Sequence, residues 1–176
     1  SAKYFDDIKE QLQKEFTPKF DVIAKNVALY QKIKNTNSVC VTIRRGDFVS
    51  NEEYKKNLYV CTPEYFEKAI EKIKKIVPDP TFFIFSDDVE WCRKNMKFPQ
   101  NTYFESGTDP VWEKLRMMYT CKHFIISNST FSWWAQYLSR NDKKVVIAPS
   151  RWGNQSYKKS DELIDIYQED WILIDV

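Results

Sequence analysis

The sequence predicts an α/β fold in which helices cover both faces of a parallel sheet. Short β-branched and aromatic runs alternate with helical segments of about 10 to 15 residues, as in right-handed βαβ units. With 43% apolar and 16% aromatic residues, the 176-residue chain can bury one compact core. Only 3 glycines are present, and none are spaced as in a GxGxxG or GxxxxGK phosphate loop. We therefore expect a Rossmann-like domain whose ligand lies beyond the carboxyl ends of the strands.

The chain opens with helical periodicity before its first strand. Apolar residues recur at steps of three and four over residues 4–34, with a break at Pro18, which predicts two amphipathic helices. We interpret residues 1–37 as a helical lead-in that packs on a domain spanning residues 38–176. The run 38–43 (SVCVTI) is β-branched and too short for a helix, so it is predicted to be a buried strand.

The same alternation continues to the end of the chain. Thr62 and Pro63 are residue types preferred at the N-cap and first position of a helix, and the apolar face after them predicts a helix that ends before Pro78. Further strands are predicted at residues 81–86, 102–105, 123–127 and 145–148, and further helices are predicted to begin after Asp88, at Asp109 and after Asn128.

Charge and cysteine patterns exclude several function classes. The 27 Lys+Arg and 25 Asp+Glu residues leave a net charge of +2, so no global electrostatic case for nucleic-acid binding exists. The four cysteines are about 20 to 31 residues apart without a CxxC pair, and His123 is the single histidine, so we expect reduced thiols and no zinc knuckle. No apolar run approaches the roughly 18 residues of a membrane-spanning helix.

Polar clusters follow three of the predicted strands. They are the loop 44–47 (RRGD), residues 86–88 (SDD) and residues 127–132 (SNSTFS). Because the carboxyl ends of parallel strands share one edge of a sheet, we expect these clusters to converge on one crevice. Adjacent arginines can present guanidinium groups to a diphosphate, and hydroxyls and free N–H groups at a helix start can receive the same anion. Asp87 or Asp88 can accept hydrogen bonds from the N1–H and N2–H₂ edge of guanine.

Each cluster taken alone also has a purely structural explanation. An arginine pair on a loop is usually solvated or ion-paired. Residues 86–88 fit a helix cap, and Ser and Thr before a helix are ordinary capping residues. The informative feature is therefore the order of the three clusters along the chain.

In this order the clusters resemble a known family. Residues 41–48 (VTIRRGDF), 83–92 (FIFSDDVEWC) and 121–134 (CKHFIISNSTFSWW) are similar to the donor-binding half of the α-1,2-fucosyltransferases of glycosyltransferase family 11. The resemblance extends from about Tyr4 to the C-terminal strand, over nearly the whole chain. It implies the nucleotide-sugar-binding half of a GT-B-like fold. We expect a C-terminal half, because the family's preceding acceptor-side domain, which opens with a G-N-Q motif, has no counterpart in this sequence.

The resemblance also implies roles for individual residues. The family's H-x-R-R-x-D motif falls on residues 42–47, with Thr42 at the histidine position. It implies that Arg44 and Asp47 are catalytic and that Arg44 binds the β-phosphate of the donor. Asp87 takes the position of the guanine-reading carboxylate. The implied donor-binding residues are Thr42, Arg44, Arg45, Asp87, Asp88, Asn128, Ser129, Thr130 and Ser132.

The activity implied by the resemblance is that of a galactoside α-1,2-fucosyltransferase. Such an enzyme transfers L-fucose from GDP-fucose to the 2-hydroxyl of a terminal galactose by one inverting displacement through an oxocarbenium-like transition state. GDP-fucose and a galactose-terminated glycan are the implied partners, with no metal, other cofactor or nucleic acid. Low glycine content, high lysine content and the lack of a membrane anchor favour a bacterial cytoplasmic enzyme of lipopolysaccharide or similar surface-glycan synthesis over a Golgi enzyme. We expect that the full-length enzyme can associate peripherally with the inner face of the membrane.

Two other function classes stay open from the residues alone. A non-catalytic nucleotide-binding or interaction module of Rossmann-like fold explains the fold, but not the arginines, carboxylates and hydroxyls at successive strand ends. A metal-dependent GT-A transferase is suggested by residues 88–90 (DVE), a variant of the metal-binding D-x-D motif. In that case the arginines would duplicate the neutralising role of the metal.

Overall fold

A six-stranded parallel sheet forms the centre of the molecule. The structure, a computed structural model, describes residues 1–154 and 165–176. The strands are β1 (Asn37–Ile43), β2 (Pro80–Ser86), β3 (Thr102–Phe104), β4 (His123–Ile125), β5 (Val146–Pro149) and β6 (Ile172–Ile174). Their order in the sheet is β3-β2-β1-β4-β5-β6. This is the doubly wound order of a Rossmann-like fold, and the predicted fold class is therefore confirmed.

Helices connect the strands and cover the sheet. In the described part of the chain they are α1 (Lys9–Glu15), α2 (Val27–Asn35), α3 (Gly46–Ser50), α4 (Glu52–Asn57), α5 (Pro63–Lys74), α6 (Val89–Asn95), α7 (Val111–Thr120) and α8 (Thr130–Leu138). Within residues 1–154 and 165–176, none of them combines the length and the apolar character needed to cross a bilayer.

Alternating side chains of β1 divide the core into two apolar layers. Val39 and Val41 pack in the layer that contains Tyr65 and Phe66 of α5. Cys40, which points to the other face, packs in the layer formed with α2, α7 and α8. Since each face of the sheet is buried under helices, the strands read as continuous apolar runs rather than as alternating ones.

Two sequence predictions about local structure were wrong in part. The periodicity over residues 4–34, broken at Pro18, predicted two helices, and two are found, α1 and α2; the second begins later than predicted, at Val27, and residues 17–23 are not helical. Pro18 explains the break, because proline lacks the backbone donor and disfavours helical backbone in the residue before it. The loop predicted at 44–47 is helical from Gly46, where α3 begins.

The lead-in is attached to α7 by a buried network of charges and backbone groups. The Arg116 guanidinium donates to the carbonyls of Phe20 (2.5 Å) and Asp21 (2.8 Å) and to the Glu113 carboxylate. The other oxygen of Glu113 accepts the backbone N–H of Ile23 at 2.9 Å. Both charged side chains are nearly fully buried, with 8% and 0% of their surface exposed. Backbone groups of the non-helical segment before α2 therefore find their hydrogen-bond partners in side chains of α7.

Aromatic residues on either side of α1 pack against α8. Phe5 and Phe16 lie with ring centroids 5.4 Å from that of Trp134, and the Phe16 ring is stacked on it. The lead-in and the sheet region therefore share an apolar layer. The division of the chain at residue 37 stays a prediction.

We predict that Arg116→Met lowers the free energy of unfolding by about 3 to 5 kcal/mol, because it leaves the buried Glu113 carboxylate without its counter-charge. Urea denaturation followed by circular dichroism measures this change. The matched control is Lys74→Met, which removes an exposed ion pair of the same i,i+3 spacing with Glu71 and should cost less than about 1 kcal/mol. Equal costs for the two variants would contradict the structural role of the buried pair.

Candidate functional site

A cleft of about 550 Å³ lies beyond the carboxyl ends of β1, β2 and β4. The chain moves from β1 to β2 and β3 on one side and continues to β4, β5 and β6 on the other, so the cleft coincides with the switch point of the sheet. Ligands of open parallel sheets bind at this point. Most of the predicted site residues line the cleft, namely Thr42, Arg44, Asp87, Asn128, Ser129, Thr130 and Ser132.

The Arg44 guanidinium is held between two carboxylates. One terminal nitrogen donates to Asp87 at 2.6 Å and the other donates to Asp47 at 2.5 Å. The guanidinium carbon also lies 5.5 Å from the ring centroid of Phe48. Because about a third of the side chain is exposed, this oriented cation faces the cleft while remaining anchored from behind. Asp47 touches Arg44 but does not line the cleft itself.

Asp87 connects β2 to the residues that follow β1. Besides the Arg44 side chain, its carboxylate accepts the backbone N–H of Arg45 at 2.9 Å. A Cβ atom added to Gly46 would overlap with the carboxylate oxygen that bonds to Arg44. The first helical position of α3 therefore has to be glycine for Asp87 to approach this closely.

Arg45 and Asp88 lie outside the lining of the cleft. The Arg45 guanidinium carbon lies 3.3 Å from the ring centroid of Trp91, and its Nε is 3.8 Å from Asp88. Asp88 accepts the backbone N–H of Trp91 at 3.1 Å and so caps α6. These two predicted site residues therefore contact each other and α6 instead of lining the cleft.

The side chains of Thr42 and Asn128 hold the ends of neighbouring elements together. The buried Thr42 hydroxyl accepts the backbone N–H of Ser127 at 3.2 Å, which links the end of β1 to the segment after β4. Asn128 donates to the backbone carbonyls of Tyr59 and Trp152, both at 2.6 Å. Burial raises the pKa of the Cys61 thiol to about 12, so this thiol is protonated at neutral pH and donates to the Asn128 side-chain oxygen.

The start of α8 presents backbone donors to the cleft. Ser129 is the N-cap residue, and in the described part of the chain no side-chain hydrogen bond caps this helix. The hydroxyls of Ser127 and Ser132 lie 3.4 Å apart beside it. Since a helix N-terminus combines free N–H groups with a partial positive charge, this end of α8 is suited to an anion.

Lys114 also lines the cleft, although no sequence motif predicted it as a site residue. It lies on the first turn of α7, and Val111 and Met118, three residues before it and four after it, line the cleft with it. The spacing of these three residues could have predicted this position, because it places a lysine on the apolar face of a helix. Phe48 and Trp152 also line the cleft, and no local pattern indicated them.

Metal ligands are not grouped in the described residues. Over 1–154 and 165–176, no set of three or more His, Cys, Asp or Glu side chains has an arrangement that could hold a metal ion. Asp47 and Asp87 are bonded to Arg44, and Asp88 caps α6.

The chain is similar in sequence to known proteins. A family model described as glycosyl transferase family 11 matches residues 1–175. The chain is 37% identical to an alpha-1,2-colitosyltransferase of Escherichia coli, over 99% of this chain and 60% of that protein. It is 32% identical to the O-antigen biosynthesis glycosyltransferase WbnK of Escherichia coli, over 77% of this chain and 47% of that protein. It is 26% identical to human galactoside alpha-(1,2)-fucosyltransferase 1, over 81% of this chain and 42% of that protein.

The chain spans about half the length of the curated relatives it matches. Among solved structures, it is similar to NodZ alpha-1,6-fucosyltransferase co-crystallized with GDP. That match has a TM-score of 0.47 and 13% sequence identity, and it covers 77% of this chain and 59% of the other.

We predict that Gly46→Ala lowers the free energy of unfolding by about 1 to 3 kcal/mol, because the new methyl group displaces the Asp87 carboxylate from Arg44. Urea denaturation of this variant and of Gly46→Ala in an Asp87→Ala background measures the coupling. In the second background the substitution should be neutral or stabilising, since alanine favours a helix more than glycine does. The same cost in both backgrounds would show that the overlap with Asp87 is not the cause.

Proposed function

The chain belongs to glycosyltransferase family 11, and on this basis we propose that it is the donor-binding part of a galactoside α-1,2-fucosyltransferase. In this proposal the donor is GDP-fucose, and L-fucose is transferred to the 2-hydroxyl of a terminal galactose. The observation that supports it best is the pair of anion-binding elements at the switch point. They are the oriented Arg44 guanidinium and the start of α8.

Arg44 can bind a phosphate without releasing its carboxylates. A guanidinium has five N–H donors, and Asp47 and Asp87 each take one of them. The remaining donors are free for phosphate oxygens, and an arginine already held in place loses little side-chain entropy on binding. We therefore assign the β-phosphate of the donor to Arg44, with Asp47 and Asp87 as the residues that orient it.

The free N–H groups of α8 would receive the same diphosphate from the other side. Ser129 and Thr130 lie at this helix start and supply hydroxyls, while the Ser132 hydroxyl lies within the first turn beside Ser127. Thr42 and Asn128 hold the backbone around the phosphates, as their hydrogen bonds to backbone groups indicate. Arg45 and Asp88 support Asp87, whose carboxylate we propose to face the base.

The proposed reaction is a single inverting displacement at the anomeric carbon of fucose. As the bond to the β-phosphate breaks, negative charge develops on the departing GDP, and Arg44 and the start of α8 stabilise this charge. This arrangement performs the neutralisation that a metal ion performs in other transferases, so we propose that the reaction is independent of metal. The described residues offer no candidate for the general base that takes the galactose proton.

The name of the Escherichia coli relative at 37% identity favours a second donor sugar. That protein is an alpha-1,2-colitosyltransferase, so its named linkage is the one proposed here while its sugar is colitose. A transfer assay with both nucleotide-linked sugars and a galactose-terminated acceptor decides between them. The relative named as an O-antigen biosynthesis glycosyltransferase supports a bacterial surface glycan as the acceptor. We propose that this glycan is modified on the cytoplasmic face of the membrane.

Calorimetric titration with GDP, ADP and UDP in the presence of EDTA tests the proposal. We expect binding that is selective for GDP and unaffected by EDTA. Equal affinities for the three nucleotides would instead support a nucleotide-binding module. Binding that appears only with Mn²⁺ or Mg²⁺ would support a metal-dependent transferase.

We predict that Arg44→Ala weakens GDP binding about 30-fold to 1000-fold, because it removes a charge-assisted contact to phosphate worth roughly 2 to 4 kcal/mol. The matched control is Arg93→Ala. The Arg93 guanidinium carbon likewise lies over an aromatic ring, 3.9 Å from the centroid of Phe104, but this residue does not line the cleft, so GDP affinity should not change. Similar affinities for the two variants would contradict the assignment of Arg44.

A further inference from the structure

We propose that Lys114 determines the base specificity of the donor site by donating a hydrogen bond to a carbonyl oxygen on the edge of the base. This inference rests on the proposed function, since it assumes that a nucleoside diphosphate occupies the cleft. It adds a residue that the sequence motifs do not contain and names the chemistry that the residue selects.

The Lys114 ammonium is anchored at the wall of the cleft. Its nitrogen lies 3.2 Å from a carboxylate oxygen of Glu105 and donates to the backbone carbonyl of Gly107 at 3.0 Å. The Glu105 side chain is fully buried, and only 18% of the Lys114 side chain is exposed. A buried carboxylate without a nearby cation is costly, so this ion pair keeps the lysine in one place.

The turn after β3 builds this anchor. The second oxygen of Glu105 accepts the backbone N–H of Gly107 at 2.8 Å, and Gly107 has a φ of +79°, which favours glycine. An ammonium has three donors: the Gly107 carbonyl accepts one, and reserving a second for the ion pair with Glu105 still leaves one. The third donor is available to a ligand in the cleft, which Lys114 lines.

The strand order indicates which part of the ligand reaches Lys114. Its anchor, Glu105, directly follows β3, whereas α8 follows β4, three strand positions away in the sheet. Neighbouring strands are about 4.8 Å apart, so the two ends of the cleft are separated by roughly 14 Å. With the phosphates between Arg44 and α8, the ribose and base extend across β2 toward Lys114.

An ammonium distinguishes bases by their acceptors. Guanine has O6 and N7 acceptors on one edge, whereas adenine has an amino group at the position of O6. The third donor of Lys114 would thus meet an acceptor in guanine and a competing donor in adenine, which leaves a polar group without a partner. Each oxygen of Asp87 already accepts one hydrogen bond, from Arg44 or Arg45, and has a further lone pair for the base. Lys114 would add a contact to the O6 and N7 edge, which a carboxylate cannot bind because both atoms are acceptors.

Titration of Lys114→Met with GDP, ADP and inorganic pyrophosphate tests the proposal. We expect GDP affinity to fall at least tenfold, with ADP and pyrophosphate affinities within about threefold of the wild type. The matched control is Lys25→Met, because the Lys25 ammonium lies 2.9 Å from the fully buried Asp109 carboxylate but does not line the cleft. The control should keep the wild-type ratio of GDP to ADP affinity.

The outcomes separate this inference from the proposed function. An equal loss for all three ligands would place Lys114 on the phosphates and overturn the inference, as would an unchanged ratio of GDP to ADP affinity. Wild-type protein that binds neither GDP nor GDP-fucose would overturn the proposed function and this inference with it.

A double variant controls for folding. Lys114→Met leaves Glu105 buried without its cation, so Lys114→Met/Glu105→Gln restores charge balance in the anchor. We expect the double variant to regain wild-type thermal stability while keeping the reduced ratio of GDP to ADP affinity. Recovery of the wild-type ratio together with stability would show that the single variant acted through misfolding, and it would overturn the role of Lys114.

Discussion

The candidate site depends on one constraint, which is the placement of a single guanidinium between two carboxylates. Asp47 comes from the short helix after β1, and Asp87 comes from the end of the neighbouring strand β2. Gly46 permits the second contact because any side chain there would overlap with the Asp87 carboxylate. Parallel pairing of β1 with β2 brings Asp87 to the cation, whereas Asp47 reaches it locally from three residues along the chain, and the proposed phosphate contact uses the donors that remain.

Helix α7 contacts both the lead-in and the cleft. One side of it holds the buried pair of Glu113 and Arg116, which bonds to the backbone around residues 20–23. Another side presents Val111, Lys114 and Met118 to the cleft. Because both sets of side chains belong to one rigid helix of 10 residues, the position of the proposed base contact depends on how the lead-in packs.

The threonine at the histidine position of the family motif has a structural explanation. Its hydroxyl accepts the N–H of Ser127 and so joins the two strands that flank the switch point. Asn128 has a similar effect on the loops that carry Tyr59 and Trp152. Polar residues that resemble ligand contacts in the sequence therefore also stabilise the backbone that forms the cleft, because buried N–H and C=O groups require partners.

The sequence by itself determined the α/β class, the main strands and helices, and the convergence of three polar clusters at one edge of the sheet. These properties follow from local periodicity and from the rule that parallel strands end at a common edge. The tertiary structure decided which charged residues face the cleft, because orientation depends on partners distant in the chain. In the folded chain the Arg45 guanidinium lies over the Trp91 ring, and Asp88 caps α6. Lys114 is held at the cleft by its ion pair with Glu105. Burial of a carboxylate without a nearby cation is too costly, so such pairings form only when the fold brings the two charges together.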